Sequence, residues 1–156
     1  MTWKKTLLSA GIASSVFFVD YWGKVIGEFW FMEHRDGFHS FFDGAIRTTF
    51  HRNYGLIANF PVPQPVIIVI TTLLIVALVI FWAKRRLHAS YAAYAALGLL
   101  LGGALGNLFN RIAFGYVFDW ILLFERSVIN VADIAITLGI ILLLLEGEFY
   151  GKKPPA

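Results

Sequence analysis

The chain has 156 residues, of which 58% are hydrophobic and only 15% charged. A soluble domain usually carries about 25% charged residues, so this composition excludes a water-soluble globule and predicts an integral membrane protein. The absence of cysteine excludes disulfides, thiolate nucleophiles and cysteine metal sites. The net charge of +3 is scattered, without the long basic patch of a nucleic-acid-binding protein.

The first apolar segment follows Lys4 and Lys5 and predicts a membrane span over about residues 6–27. A short apolar run behind two lysines also fits a signal peptide. The hydrophobic character continues past Asp20, however, which favours a retained helix. Asp20 and Lys24 are spaced i,i+4, so they share a helical face and can form an ion pair.

A polar and aromatic region over about residues 28–65 separates this span from the next apolar run. Asp43-Gly44 lies there between apolar residues, a pattern typical of a β-hairpin. Three prolines, at positions 61, 63 and 65, then break any regular element. We therefore expect a small β structure on the membrane surface.

Three further apolar runs have the length of membrane spans, over about residues 66–83, 91–110 and 128–145. The second of these carries glycines at four-residue spacing, which lets another backbone approach closely. We expect this helix at the centre of a four-helix bundle. The predicted class is an all-α membrane protein that forms one domain over residues 1–156.

Four spans place both termini on the same side of the membrane. Basic residues are dense on the short segments of that side: Lys4, Lys5, Lys84, Arg85, Arg86, Lys152 and Lys153. The opposite side carries a similar number over a longer exposed length. This distribution predicts cytoplasmic termini.

Polar side chains then converge near the outer membrane boundary: Asp20, Asn53, Asn107, Arg111, Asp119, Asn130 and Asp133. Such groups at the ends of membrane-length segments are costly and indicate a functional site. Asp119 and Asp133 are carboxylates that could meet across a helix contact. Two carboxylates held close share one proton, so one can activate water while the other polarises a carbonyl.

The sequence gives less support to catalysis by a serine or by a bound metal ion. Ser127 lies near the cluster, but no obvious base stands beside it in the sequence. The histidines at positions 34, 39, 51 and 88 match no recognised metal spacing, so no metal or other cofactor is expected.

Structural interpretations of the same residues remain open. Asn130 and Asp133 also fit a helix N-cap and its acidic partner three residues later. Asp119 could be a solvated loop acid that pairs with Arg111 or Arg126. Asn107 could simply join two helices by hydrogen bonds.

The motifs of the chain, in this order, resemble those of the lipoprotein signal peptidase (signal peptidase II) family. The most specific stretches are GGALGNLFNR at 102–111, GYVFDWI at 115–121 and INVADIAI at 129–136. Weaker matches are DYWGK at 20–24 and HRNYGLIANF at 51–60. The resemblance covers nearly the whole chain.

The resemblance implies an aspartyl dyad at Asp119 and Asp133. It implies substrate positioning and support of the dyad for the other matched positions: Asp20, Lys24, Asn53, Gly55, Asn107, Arg111 and Asn130. The implied fold has four transmembrane helices, a small extracytoplasmic β-cradle and a short extracytoplasmic helix.

The implied substrate is a diacylglyceryl-modified prolipoprotein, cleaved on the amino side of its lipidated cysteine. The implied location is the inner membrane of a bacterium, with the active site near the outer face. A monomer among membrane lipids is expected.

Three positions depart from the family pattern. Asn110 replaces an aspartate that usually precedes the arginine, which weakens an expected ion pair with Arg111. Residues 56–59 differ from the usual Ala-Ala-Phe run, and Gly23 replaces a Thr or Ser before Lys24. None of these changes removes the two aspartates.

A rival interpretation is a small non-enzymatic membrane transporter or assembly subunit that binds ions through the paired aspartates. A third is a purely structural four-helix protein, in which both aspartates could be replaced without loss of function.

Overall fold

The computed structural model describes residues 2–33, 39–56, 60–85 and 90–150. Four helices dominate it: α1 (Thr2–Glu33), α2 (Gln64–Arg85), α3 (Tyr91–Phe114) and α4 (Val131–Tyr150). Four strands accompany them: β1 (Ser40–Phe41), β2 (Ile46–Asn53), β3 (Val117–Leu123) and β4 (Ser127–Ile129). The protein is thus mostly helical with a small sheet.

Helix α3 lies between α1 and α4 and packs extensively against both. The glycines of α3 make this close packing possible. A Cβ added at Gly98 or Gly102 would lie 2.6 Å from the backbone oxygen of Ser9 or Ala13 in α1. The central position of α3 therefore follows from the glycine spacing in the sequence.

In the part of the chain that the structure describes, two helices are long and apolar enough to cross a membrane, over Gln64–Lys84 and Tyr91–Phe114. The first of these, α2, has few buried side chains and makes limited contact with α3. Its β-branched and leucine surface suits contact with lipid.

The sheet is an antiparallel meander in the order β1-β2-β3-β4. The hairpin predicted at Asp43-Gly44 is confirmed, since β1 and β2 pair on either side of that turn. Ala45 N–H donates to Phe42 O at 3.0 Å, and Gly44 has φ of +91°. Glycine adopts this left-handed conformation without steric cost.

The β structure expected over about residues 28–65 is present at 40–53, but it is only part of the sheet. Helix α1 continues to Glu33, and half of the sheet comes from residues 117–129. The β3–β4 turn contains Phe124 and Glu125 at φ of +51° and +57°. Hairpin turns of this kind usually carry Gly or Asn, so the sequence gives no indication of this turn.

Two predicted helix boundaries also shift. Helix α4 begins at Val131 rather than near 128, because Val128 and Ile129 belong to β4. Helix α3 continues to Phe114 and ends at Gly115, whose N–H donates to Arg111 O in a left-handed C-cap.

The short extracytoplasmic helix implied by the resemblance is absent from the described ranges, in which every helix has at least 20 residues. Several predictions concern residues outside those ranges: His34, residues 57–59, Arg86, His88, Lys152 and Lys153.

Strand β3 packs against the C-terminal half of α1. The rings of Phe118 and Phe31 lie 6.4 Å apart, and Trp120 lies against Gly23 and Gly27. Because successive side chains of a strand point to opposite faces, Asp119 lies on the face opposite Phe118 and Trp120.

Candidate active site

Asp119 is held in β3 by two side-chain amides. It is only 2% exposed. Its Oδ1 accepts from Asn130 Nδ2 at 2.6 Å, and its Oδ2 accepts from Asn53 Nδ2 at 3.1 Å. Burial raises the pKa of the Asp119 carboxyl, the hydrogen bond from Asn130 opposes this, and the negative charge of Asp133 raises the pKa further.

Asp133 lies in the first turn of α4 and forms a capping box with Asn130. Asp133 N–H donates to Asn130 Oδ1 at 3.0 Å, and Asn130 N–H donates to Asp133 Oδ2 at 3.2 Å. The structural interpretation of this pair is therefore confirmed. The other oxygen, Asp133 Oδ1, accepts from Asn107 Nδ2 at 2.8 Å. Capping and contact with the cluster thus use different oxygens of one carboxylate.

Asn130 joins the two carboxylates. Its Nδ2 donates to Asp119 Oδ1 and also to Asn107 Oδ1, at 3.2 Å. Its Oδ1 accepts from Asp133 N–H. One fully buried amide therefore fixes the position of Asp119 relative to the start of α4.

Lys24 and Asp20 form the predicted ion pair, with 2.7 Å between Nζ and Oδ2, and both are almost completely buried. Lys24 Nζ also donates to Asn107 Oδ1 at 2.8 Å. Because an ammonium group has only donors, Asn107 must present its oxygen to Lys24 and its NH₂ group to Asp133. The ion pair therefore sets the orientation of the amide that binds Asp133.

Asp20 also connects α1 to α4 through its other oxygen. Ala132 N–H donates to Asp20 Oδ1 at 2.9 Å. A Cβ at Gly106 would lie 2.6 Å from Asp20 Oδ2, so glycine leaves the space that this carboxylate occupies.

Arg111 reaches across the site towards the chain after β2. Its Nη2 donates to Gly55 O at 3.2 Å and its Nη1 to Asn107 O at 3.4 Å. Gly55 N–H in turn donates to Asn53 Oδ1 at 3.0 Å, which directs the Asn53 NH₂ group towards Asp119.

Ion pairs within the described ranges link Lys24 with Asp20, Arg47 with Glu125 and Arg52 with Glu28. Neither Asp119 nor Arg111 belongs to any of these pairs. Asp119 is therefore not a solvated loop acid paired with an arginine. Asn110, at the position where the family usually has aspartate, is itself buried and uncharged.

All nine polar positions singled out in the sequence belong to one connected set of contacts: Asp20, Lys24, Asn53, Gly55, Asn107, Arg111, Asp119, Asn130 and Asp133. We refer to this set as the polar cluster.

A cavity of about 640 Å³ opens beside the polar cluster. Asp119, Asp133 and Arg111 line it together with β4. Apolar side chains continue it between α2, α3 and α4: Ile67, Leu74, Leu78, Leu100, Ala104, Ile136 and Ile140. Polar groups at one end and aliphatic walls beyond suit an amphipathic ligand.

One functional contact was not anticipated from the sequence. Glu28 Oε1 accepts from Arg52 Nη2 at 2.6 Å and from Tyr116 OH at 2.8 Å. The Arg52 guanidinium also lies 5.0 Å from the Tyr116 ring centre. These contacts join α1, β2 and the start of β3 next to Asn53. Glu28 follows Lys24 by four residues on one helical face, and that spacing could have identified Glu28 as a candidate residue.

The hydrogen bond with Glu28 raises the pKa of Arg52. Burial is the main cause that raises the pKa of Tyr116, and its hydrogen bond to Glu28 raises that pKa further. Both groups therefore keep their protons near neutral pH and can serve as donors to Glu28. As for metals, the described part of the chain contains no group of three His, Asp or Glu side chains placed to hold an ion.

Comparison with known proteins gives consistent results. Residues 12–149 match the model of a family described as signal peptidase (SPase) II. A lipoprotein signal peptidase of Acinetobacter baumannii is 43% identical over 86 residues, which are 53% of this chain. The chain spans about half of that relative's length, 49%. A lipoprotein signal peptidase of Streptococcus agalactiae is 28% identical over 77% of this chain and 80% of the relative.

A solved structure of a bacterial membrane enzyme, determined by the in meso method, is also similar. It is 27% identical with a TM-score of 0.75, and the match covers 95% of this chain and 93% of the other.

The apolar helices, the sheet and the polar cluster beside a cavity define a bacterial membrane protein. The chain belongs to the signal peptidase II family.

Proposed function

We propose that the protein is a membrane aspartic endopeptidase that removes signal peptides from diacylglyceryl-modified prolipoproteins, on the amino side of the lipidated cysteine. The observation that carries this proposal is that Asp119 and Asp133 are linked through Asn130 and line one cavity. The names of the relatives support it. They do not favour the non-enzymatic transporter or assembly subunit.

In the proposed mechanism the two carboxylates share one proton. Asp133 is the base, because it lies in the first turn of α4, and the N-terminus of a helix favours a negative charge there. Asp119 holds the proton, in line with the effect of burial on its pKa.

Asp133 takes a proton from water, and the hydroxide attacks the scissile carbonyl that Asp119 polarises. The leaving nitrogen then receives a proton from Asp119 as the C–N bond breaks.

The substrate backbone needs polar partners at this depth, since lipid offers none. Arg111 Nε is buried without a hydrogen-bond acceptor in the described structure, so it is available to bind a substrate carbonyl. The side chains of Asn53, Asn107 and Asn130 hold the two carboxylates in place by hydrogen bonds and assist in binding the substrate backbone.

The membrane arrangement that we propose has four spans, cytoplasmic termini and the polar cluster near the outer face of the inner membrane. The aliphatic part of the cavity then accepts acyl chains from the bilayer. Since one chain supplies the whole polar cluster, the proposed active form is a monomer.

The test is cleavage of a diacylglyceryl prolipoprotein by the purified protein in detergent, followed on a gel by loss of the signal peptide. We expect Asp119→Asn and Asp133→Asn each to lower the rate at least about a thousandfold. Asp43→Asn, in the exposed β1–β2 turn, is the matched control and should retain full activity. Cleavage that survives either dyad change in a folded variant would refute the proposed roles.

A further inference from the structure

We propose that β4 binds the substrate backbone through its free edge, so that an extended segment of the prolipoprotein adds to the sheet as a fifth strand. This inference rests on the proposed peptidase function. It names the surface that aligns the polypeptide with Asp119 and Asp133.

Strand β4 is an edge strand that faces the cavity. It is the last strand in the order β1-β2-β3-β4, and among the residues that the structure describes it pairs only with β3. All three of its residues line the cavity that Asp119 and Asp133 also line. An edge strand offers unpaired N–H and C=O groups, to which an extended peptide can bind.

Backbone hydrogen bonds show which groups of β4 point outward. Phe124 N–H donates to Ala45 O, towards β2. Since neighbouring residues of a strand direct their N–H and C=O groups to opposite sides, Leu123 and Ile121 face β4. They pair with Ser127 and Ile129.

Val128, between Ser127 and Ile129, therefore directs its N–H and C=O away from β3 and towards the open edge. Thr48 N–H donates to His39 O, on the β1 side of β2. This hydrogen bond fits the same alternation of backbone directions across the sheet and supports the outward direction assigned to Val128.

The register fixes how far the bound segment lies from the dyad. Val128 pairs with Leu122, three residues along β3 from Asp119. Three strand residues span about 10 Å. The substrate residue that pairs with Val128 is therefore about three residues from the scissile bond.

The residues of β4 do not protect this edge from pairing with another strand. Exposed strand edges are commonly protected by charged residues or proline, whereas Ser127, Val128 and Ile129 are neither. The side chains of Ser127 and Ile129 share the sheet face of Asp119, because the paired residues 121 and 123 are an even number of positions from 119. A fifth strand would thus continue the sheet face on which Asp119 lies.

The test is an amide-to-ester scan of a diacylglyceryl lipopeptide substrate, which removes one N–H donor at a time. We expect kcat/KM to fall about fivefold at one position, about three residues from the scissile bond, and much less at its two neighbours. A flat scan, or equal losses at consecutive positions, would overturn the pairing.

Val128→Pro provides the second arm, because it removes the outward N–H without removing a donor to β3. The Val128 C=O, which accepts from the sensitive substrate N–H, is retained in this variant, so the scan should keep its sensitive position. Cleavage of the all-amide substrate should instead fall about fivefold in kcat/KM relative to Val128→Ala, which keeps the N–H. A folded Val128→Pro protein that cleaves the all-amide substrate as fast as Val128→Ala would also overturn the pairing. If Val128→Pro does not fold, the scan on the unchanged protein decides alone.

The all-amide substrate separates the two proposals. If the unchanged protein does not cleave it, the peptidase function is wrong and the pairing falls with it. If it is cleaved but the scan is flat, only the pairing is wrong.

Discussion

Asp119 and Asp133 are held by different kinds of structure. Asp119 lies on a strand, and the amides that bind it come from Asn53, 66 residues earlier, and from Asn130, 11 residues later and beyond the β3–β4 turn. Asp133 lies in the first turn of a helix, and the backbone of Asn130, three residues earlier, binds one of its oxygens. A short segment thus provides most of the environment of Asp133, whereas that of Asp119 requires the whole fold.

Lys24 influences Asp133, because it binds the Asn107 amide that donates to that carboxylate. Its loss should have the largest effect on stability. Lys24→Met leaves the buried Asp20 carboxylate without its ion-pair partner. We expect the free energy of unfolding to fall by about 3–5 kcal/mol, measured by denaturation in detergent micelles.

The double variant Asp20→Asn with Lys24→Met provides the control. It removes both charges and should recover much of the stability but not the cleavage rate, because Asn107 Oδ1 then keeps only its longer hydrogen bond from Asn130 and holds the donor to Asp133 less firmly. Full activity in the double variant would show that the pair has no influence on the dyad.

Asn130 serves both aspartates, so two replacements can separate its roles. Asn130→Ala removes the N-cap of α4 and should cost about 1–2 kcal/mol of stability, with loss of activity. Asn130→Ser restores an acceptor for Asp133 N–H but not the donor to Asp119.

We therefore expect Asn130→Ser to recover thermal stability, measured as Tm, while cleavage remains impaired. Recovery of both properties would indicate that the hydrogen bond to Asp119 is dispensable.

Asn53 acts on Asp119 alone, and its effect should be visible in the pH profile. The hydrogen bond from Asn53 lowers the pKa of Asp119, because it stabilises the charged carboxylate. Asn53→Ala should therefore raise this pKa, so that Asp119 keeps its proton to higher pH.

The high-pH limb of the kcat/KM profile should consequently move to higher pH, whereas Asp43→Asn should leave it in place. A shift to lower pH would contradict the assignment of the proton to Asp119.

The sequence predicted the elements with regular patterns and missed those without them. Apolar runs indicated the helices, and Asp43-Gly44 indicated the first hairpin. The β3–β4 hairpin escaped prediction because Phe124 and Glu125 adopt positive φ without glycine or asparagine. Packing of β3 against α1, through Phe118 and Trp120, holds this hairpin, and no local pattern records such contacts.

The site shows the same limit. Residue types and spacing selected the nine members of the polar cluster, yet could not show that Asn107 connects Lys24 to Asp133. This contact joins residues 83 positions apart. Likewise, the contact between Glu28 and Arg52 depends on how the sheet lies against α1.

The ion pair of Asp20 and Lys24 also bears on the order of events during synthesis. Its main partners, Asn107 in α3 and Ala132 in α4, leave the ribosome long after α1. Because the two charges lie one helical turn apart in the same segment, the nascent α1 carries its own counter-charge. If α1 spans the membrane as proposed, this part of the helix carries no net charge and exposes no unpaired charge to the hydrocarbon before its neighbours are made.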